Sequence, residues 1–160
     1  MSDPRLRLDR PRLVPGVIER TARLPLGHHL VNAGIISASN LINALNQQRH
    51  IEAPLGEILI AENLVDSETV LDALALQYEA ERVDLLVDAP DPRLSKLLSP
   101  EVCVRHQIVP WAQLGDMMLI ATSRPDQLKY IRPHLPDLVG TILPVIASEQ
   151  NILTYLAKHA

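Results

Sequence analysis

One stretch of this sequence occurs twice. PLGHHLVNAGIISASNLINALNQQ begins at Pro25, and PLGEILIAENLVDSETVLDALALQ begins 29 residues later at Pro54. Over the 24 aligned positions seven are identical: Pro25/Pro54, Leu26/Leu55, Gly27/Gly56, Leu30/Leu59, Ala44/Ala73, Leu45/Leu74 and Gln48/Gln77. Chance in a chain of this composition would give about two. Five further pairs exchange Leu, Ile and Val. A duplication of this length is one supersecondary unit made twice, and each copy needs a neighbour to cover its apolar face. Two copies are too few for a solenoid, so they must pack on each other.

Each copy reads as helix, tight turn, helix. Leu26, Leu30, Val31 and Ala33 form a short apolar face. Gly34 then stands where a left-handed C-cap belongs, and Asn63, next best at positive φ, fills that place in the second copy. Ser37 and Asp66 follow as N-caps for the second helices. Leu41, Ile42, Leu45 and Gln48 recur at helical spacing, as do Val70, Leu71, Leu74 and Gln77. Two such hairpins predict a four-helix unit over residues 23–80.

The last third changes period. QIVPWA (Gln107–Ala112) and MMLIA (Met117–Ala121) flank Gln113-Leu114-Gly115-Asp116 and read as a hairpin. A helix over Pro125–Leu135, a strand over Thr141–Ala147 and a helix opened by Ser148 follow. The order β-β-α-β-α over residues 107–160 predicts a small α/β subdomain, a three-stranded sheet with helices on one face. Between the two units, residues 81–106 read as a connector with short helices near 92–98 and 100–106, started by Asp91-Pro92 and Ser99-Pro100. Val83–Val87 within it is a short strand or an extended link. The fold class is therefore α+β.

Composition bounds the function. The chain has 160 residues, 47% of them hydrophobic, with no Phe, one Trp and three Tyr, so its core is aliphatic and stacking platforms for single-stranded nucleic acid are lacking. One Cys excludes an intrachain disulfide and a multi-Cys zinc site. The net charge of −4 hides a split: residues 1–23 hold six Arg against three acids, while Glu52–Asp91 hold eleven acids and one base, Arg82. The folded part has no basic face for duplex nucleic acid. Residues 1–22, with three prolines among alternating Arg and Leu, read as a flexible Arg-rich arm. No apolar run approaches the roughly 18 residues of a membrane span, and no secretory h-region is present. These features, with a lone Cys, predict a cytoplasmic location.

No catalytic constellation is visible: there is no phosphate loop, GxSxG, GxGxxG with its acid, or HExxH. Gly27 and Gly56 each open a helix after Pro-Leu. Such a glycine either lets a phosphate or guanine approach backbone N–H groups or lets two helices cross closely. Gln48 and Gln77 either read a base edge or bridge the repeats. His28 and His29 diverge by about 100° on a helix and cannot chelate one metal. Cys103 with His106 reads as a structural thiol rather than a nucleophile and base, and Asp84, Asp88 and Asp91 as a solvated loop rather than a cation site.

The paired LG…L…[G/N]…AL..Q units, together with VRHQIVPWAQLGDMMLIATSRPDQLKYI and GTILPVIASEQNI, resemble the MshEN type of domain over about residues 24–157. That family forms the N-terminal domain of type II secretion and type IV pilus ATPases and is also fused to some bacterial glycosyltransferases. The resemblance implies a cyclic di-GMP site across the two repeats, with Leu26, Gly27, Leu30, Gly34, Leu41, Leu45 and Gln48 from the first copy and Leu55, Gly56, Leu59, Val70, Leu74 and Gln77 from the second. In the family an Arg before each LG contacts guanine and phosphate; here Pro25 and Pro54 occupy those positions, and Arg23 or Arg49 are the candidate substitutes.

The expected function is a non-catalytic N-terminal regulatory or docking module of a larger bacterial protein, sensing cyclic di-GMP through a weakened motif. PLG in place of RLG favours a glycosyltransferase parent. The alternative is a protein-docking domain of a type II secretion or type IV pilus ATPase that binds no nucleotide. No cofactor or metal is required. The partner is the parent's catalytic domain or a separate protein, and the location is the cytoplasm, at the inner-membrane face through the parent.

Overall fold

The computed structural model describes residues 25–159. The arm expected over residues 1–22, and Arg23, lie outside them. Each repeat is a helix, a turn and a helix: α1 (Leu26–Asn32) with α2 (Ala38–Gln48), then α3 (Leu55–Ala61) with α4 (Ser67–Tyr78).

The turns follow from their residues. The N–H of Ile35 donates to the Leu30 carbonyl and that of Gly34 to Val31, both at 2.9 Å. In the second copy Leu64 donates to Leu59 at 3.0 Å and Asn63 to Ile60 at 2.9 Å. These are matching Schellman motifs, and the left-handed residue each requires is Gly34 (φ 75) in one and Asn63 (φ 60) in the other. The second helices start on the predicted caps. Ser37 Oγ accepts from the Asn40 N–H while Asn40 Oδ1 accepts from the Ser37 N–H, both at 3.0 Å, a reciprocal capping box. The Asp66 carboxylate accepts from the Thr69 N–H at 2.8 Å, and hydrogen bonding to the Thr69 side chain first, then to this N–H, holds its pKa below the ordinary carboxylate value.

The two copies pack through an exchange of equivalent contacts. A Cβ on Gly27 would lie 2.5 Å from Leu41 Cδ1 and 3.3 Å from Leu55 Cδ2. A Cβ on Gly56 would lie 2.8 Å from Val70 Cγ1 and 3.5 Å from Leu26 Cδ2. Leu41 and Val70 are repeat equivalents, as are Leu26 and Leu55, so the contacts obey an approximate two-fold relation. Leu30 and Leu59, both 0% exposed, anchor the core between the copies with Ile36, Ala44, Ile58 and Ala73. Full burial of each leucine contributes about 1.5–3 kcal/mol.

The sheet carries β1 (Ile108–Leu114), β2 (Met117–Thr122) and β3 (Ile142–Ile146) in the order β1-β2-β3. β1 and β2 are an antiparallel hairpin joined at Leu114↔Met117, and β3 lies parallel to β2. A bulge between Pro110 and Ala112 frees Trp111, whose indole N–H donates to the Asp88 carbonyl at 2.9 Å. Each edge strand contains a proline, Pro110 or Pro144, an edge being the strand position that best tolerates a residue without an N–H donor. Helices α5 (Pro100–His106) and α6 (Glu149–His159) pack together and against β1.

Three expectations change. Pro125–Leu135 is not one helix but two 3₁₀ turns, Pro125–Tyr130 and Arg132–His134. Pro133 is the cause, since its ring disfavours α geometry at Arg132 and it has no N–H to continue the helix. Val83–Val87 is neither strand nor straight link. One parallel bridge joins Arg82 to Ile146, the Val83 N–H donates to the Ile146 carbonyl at 2.9 Å, and the chain then turns at Leu85–Val87. Cover is not confined to one face of the sheet, because consecutive residues Ile120, Ala121 and Thr122 of β2 are all 0% exposed. Successive side chains alternate in direction, so both faces are covered there.

α4 contacts β3, and this joins the helical and sheet units. The junction breaks the symmetry of the repeats. Val70 and Leu71 on α4 are 8% and 5% exposed, whereas Ile42, the counterpart of Leu71, is 58% exposed. Among the described residues no helix is long and apolar enough to cross a membrane.

Candidate functional site

A cavity of about 460 Å³ lies in this junction. One wall is the repeat unit: Leu26 and Gln48 from the first copy, and Leu55, Gly56, Val70, Leu74 and Gln77 from the second. Seven of the thirteen residues predicted from the resemblance thus share one surface. Pro54 also lines it, at the place where the resemblance puts an arginine. The other wall is Ser123–Asp126, after β2, and Ser148–Gln150, at the start of α6.

The remaining six predicted residues lie elsewhere. Leu30 and Leu59 are sealed in the helical core. Gly27 is buried against Leu41, and Gly34 is on the exposed turn. Leu45 is 42% exposed on α2. Gln48 has a structural partner: its Nε2 donates to the Ala53 carbonyl at 3.0 Å, tying α2 to the link between the copies. Gly27 and Gly56 serve close helix crossing, and Gly56 does so while lining the cavity.

The cavity's charge is uneven. Glu57, Glu68, Asp126 and Glu149 line it, and among the described residues Arg124 is the one Lys or Arg that does. Arg124 Nη2 donates to Glu57 Oε2 at 3.0 Å, linking the sheet unit to the second repeat. Arg82 engages Glu68 and Asp72 at 2.9 Å each, and these carboxylates raise the guanidinium pKa further, Glu68 most. Gln107 Nε2 donates to Glu149 Oε2 at 3.1 Å. The wall from Ser123 to Asp126 carries no helical or strand period that marks it as lining. The sequence signal for it is the Arg124-Pro125 pair within the ATSRP segment that contributes to the resemblance.

The other polar candidates have structural surroundings. Cys103 is buried, and burial pushes its thiol from 9.0 up to about 11, the opposite of nucleophilic activation. His106 faces His134 with ring centroids 6.1 Å apart, and its pKa is lowered by desolvation and then by Arg105 and His134. Asp84 accepts from the Leu86 N–H and the Asn151 amide, while Asp91 caps its 3₁₀ turn and pairs with Arg93. No group of three or more His, Cys, Asp or Glu among the described residues is placed to hold a metal ion.

Comparison with known proteins gives this geometry a context. A model of the MshEN domain family matches residues 74–160. The chain is 27% identical over 135 residues to the type IV pilus assembly ATPase PilB of Myxococcus xanthus, covering 84% of this chain and 24% of that protein. It is 21% identical over 130 residues to PilB of Acinetobacter baylyi, covering 81% and 22%. The chain therefore spans about a quarter of the length of the curated relatives it matches. Among solved structures, MshE with cdg (cyclic di-GMP) superposes with a TM-score of 0.76 at 29% identity, covering 86% of this chain and 100% of that one. The N-terminal domain of XpsE shares the fold, with a TM-score of 0.62 at 15% identity over 83% and 92% of the two chains. The helical duplication, the mixed three-stranded sheet and the match over residues 74–160 together make this chain a member of the MshEN domain family.

Proposed function

We propose that this chain is the N-terminal regulatory and docking module of a larger bacterial assembly ATPase, of the pilus or secretion kind, and that the junction cavity senses a cyclic dinucleotide. The relatives reported above are pilus ATPases several times longer than this chain, and they support that parent rather than a glycosyltransferase. Such a parent works at the cytoplasmic face of the inner membrane.

The observation that carries the ligand reading is the cavity wall itself. Leu26 and Gln48 share one surface with Leu55, Gly56, Leu74 and Gln77, beside an opening large enough for a small ligand. Leucines in place of rings give a base an apolar surface. MshE, with cyclic di-GMP in its structure, supports the ligand class. Pro25 and Pro54 set the affinity. Each arginine missing from the motif removes charge-assisted hydrogen bonds worth about 1.5–3 kcal/mol. Both prolines have extended backbone, φ −58 and −60, that arginine adopts without strain. Calorimetry of the whole chain with cyclic di-GMP at low salt tests the reading. The expected result is weak binding that Pro25→Arg with Pro54→Arg tightens at least tenfold. No heat from either protein at high micromolar concentration refutes it.

A second reading is docking without a nucleotide, favoured by the open α2 surface, where Ile42 is 58% and Leu45 42% exposed. Loss of a partner's pull-down on Ile42→Glu with Leu45→Glu, in a chain that gives no heat with cyclic di-GMP, supports it; retention of the pull-down counts against it.

A further inference from the structure

The backbone of Arg124 is held firmly. Its N–H donates to Thr122 Oγ1 at 2.9 Å, Thr122 is 0% exposed, and Pro125 restricts the next peptide. Its guanidinium projects from this anchored base to the Glu57 carboxylate across the cavity, at 3.0 Å, with the arginine side chain 35% and the glutamate 53% exposed. The other three carboxylates of the lining have different surroundings: Glu68 pairs with Arg82, Glu149 accepts from Gln107, and Asp126 accepts from Gln127 Nε2 at 3.4 Å. Opposite Arg124, Pro54 supplies no charge. Among the described residues, a phosphate entering this space meets one guanidinium, and that guanidinium is already neutralised.

We propose that Arg124 is the anion-binding residue of the cavity, and that Glu57 holds it in an ion pair which a phosphate-bearing ligand must open. The inference rests on the reading of the cavity as a dinucleotide site and names the residue that sets its threshold. A guanidinium forks onto two phosphate oxygens, so the ligand gains what the single Nη2 contact to Glu57 gives up. The pair is half-exposed, and pairs of that kind are weak and salt-screened, so it opens readily. While closed, it ties the second repeat to the sheet unit. Opening it on ligand entry exchanges that tie for one made through the ligand.

The test is calorimetry of cyclic di-GMP against the whole chain, at low and at physiological salt. Glu57→Gln frees the guanidinium and is expected to tighten binding about two- to fivefold. Arg124→Ala is expected to weaken it at least tenfold, and the double variant is expected to match Arg124→Ala, because Glu57 acts only through Arg124. Thermal melts of each variant verify folding. If the chain binds and Arg124→Ala binds equally well, the inference falls while the cavity reading stands. If Glu57→Gln tightens binding equally in the absence of Arg124, the latch falls and a general charge effect replaces it. If no variant binds, including Pro25→Arg with Pro54→Arg, the dinucleotide reading falls and takes this inference with it.

Discussion

Gly56→Ala separates two forces that act in opposite directions at one atom. In an isolated helix the change stabilises by about 0.5–1 kcal/mol, because alanine has less backbone entropy to lose. In this fold the added Cβ would stand 2.8 Å from Val70 Cγ1 and 3.6 Å from Val70 Cγ2. Val70 is 8% exposed and is the fourth residue of α4. A β-branched side chain in a helix has essentially one χ1 rotamer, so it cannot swing aside, and α3 and α4 must part instead. Overpacking of this kind costs about 1–3 kcal/mol. The balance is a loss of up to about 2 kcal/mol, or several degrees in Tm for a domain of this size. Gly27→Ala makes an even shorter contact, 2.5 Å, but with Leu41 Cδ1, the far end of a flexible and only half-buried side chain. That leucine can rotate, and the expected net change is within about 0.5 kcal/mol of zero. Urea melts of the two variants, with Gly56→Ala/Val70→Ala as a relief control, measure the difference. A Gly56→Ala protein as stable as the parent, or Gly27→Ala as the costlier of the two, refutes the reasoning.

Other consequences follow from single residues. Glu79 closes α4 at φ 51, where a non-glycine residue costs about 1–2 kcal/mol, so Glu79→Gly is expected to stabilise by about 0.5–1 kcal/mol in a urea melt after glycine's own entropy is subtracted. Ser37→Ala removes one half of the α2 capping box and is expected to cost about 1 kcal/mol by the same assay. Cys103, with its thiol pushed up to about 11, is expected to resist iodoacetamide at pH 8 in the folded chain and to react once urea unfolds it. Because the folded thiol holds its proton to a higher pH than the unfolded one, stability falls as pH rises from about 9.0 towards 11, and Cys103→Ala flattens that fall.

The helical half of the fold is written locally, which is why the sequence reveals it. Gly34 and Asn63 mark the left-handed turns, Ser37 and Asp66 mark the helix starts, and each acts within a few residues of itself. The 3₁₀ segment is misread as one helix because the apolar spacing of Leu128, Ile131 and Leu135 suits either geometry, and Pro133 decides between them. The candidate site is legible only on its repeat side, where duplication picks out Leu55, Gly56, Leu74 and Gln77. Arg124 and its partner Glu57 are 67 residues apart, and no periodicity links them. The packing of α4 on β3 helps bring them face to face.

That packing also explains how two copies of one sequence have come to be stabilised differently. Ile42 and Leu71 occupy the same place in the duplication, yet they are 58% and 5% exposed. The difference is the sheet unit, which covers α4 and leaves α2 bare. Removing apolar atoms from a covered site loses their transfer free energy and leaves a cavity, so Leu71→Ala is expected to cost about 2–5 kcal/mol. At Ile42 little surface is lost and no cavity forms, while alanine is the better helix former, so Ile42→Ala is expected to lie within about 0.5 kcal/mol of the parent. Equilibrium urea unfolding reads both, and unequal costs at positions that duplication made equivalent are the signature of an intact junction. Equal costs mean that the sheet unit does not cover α4 in solution. The cavity would then lose the wall that carries Arg124, and the ligand reading would have to rest on the repeats alone.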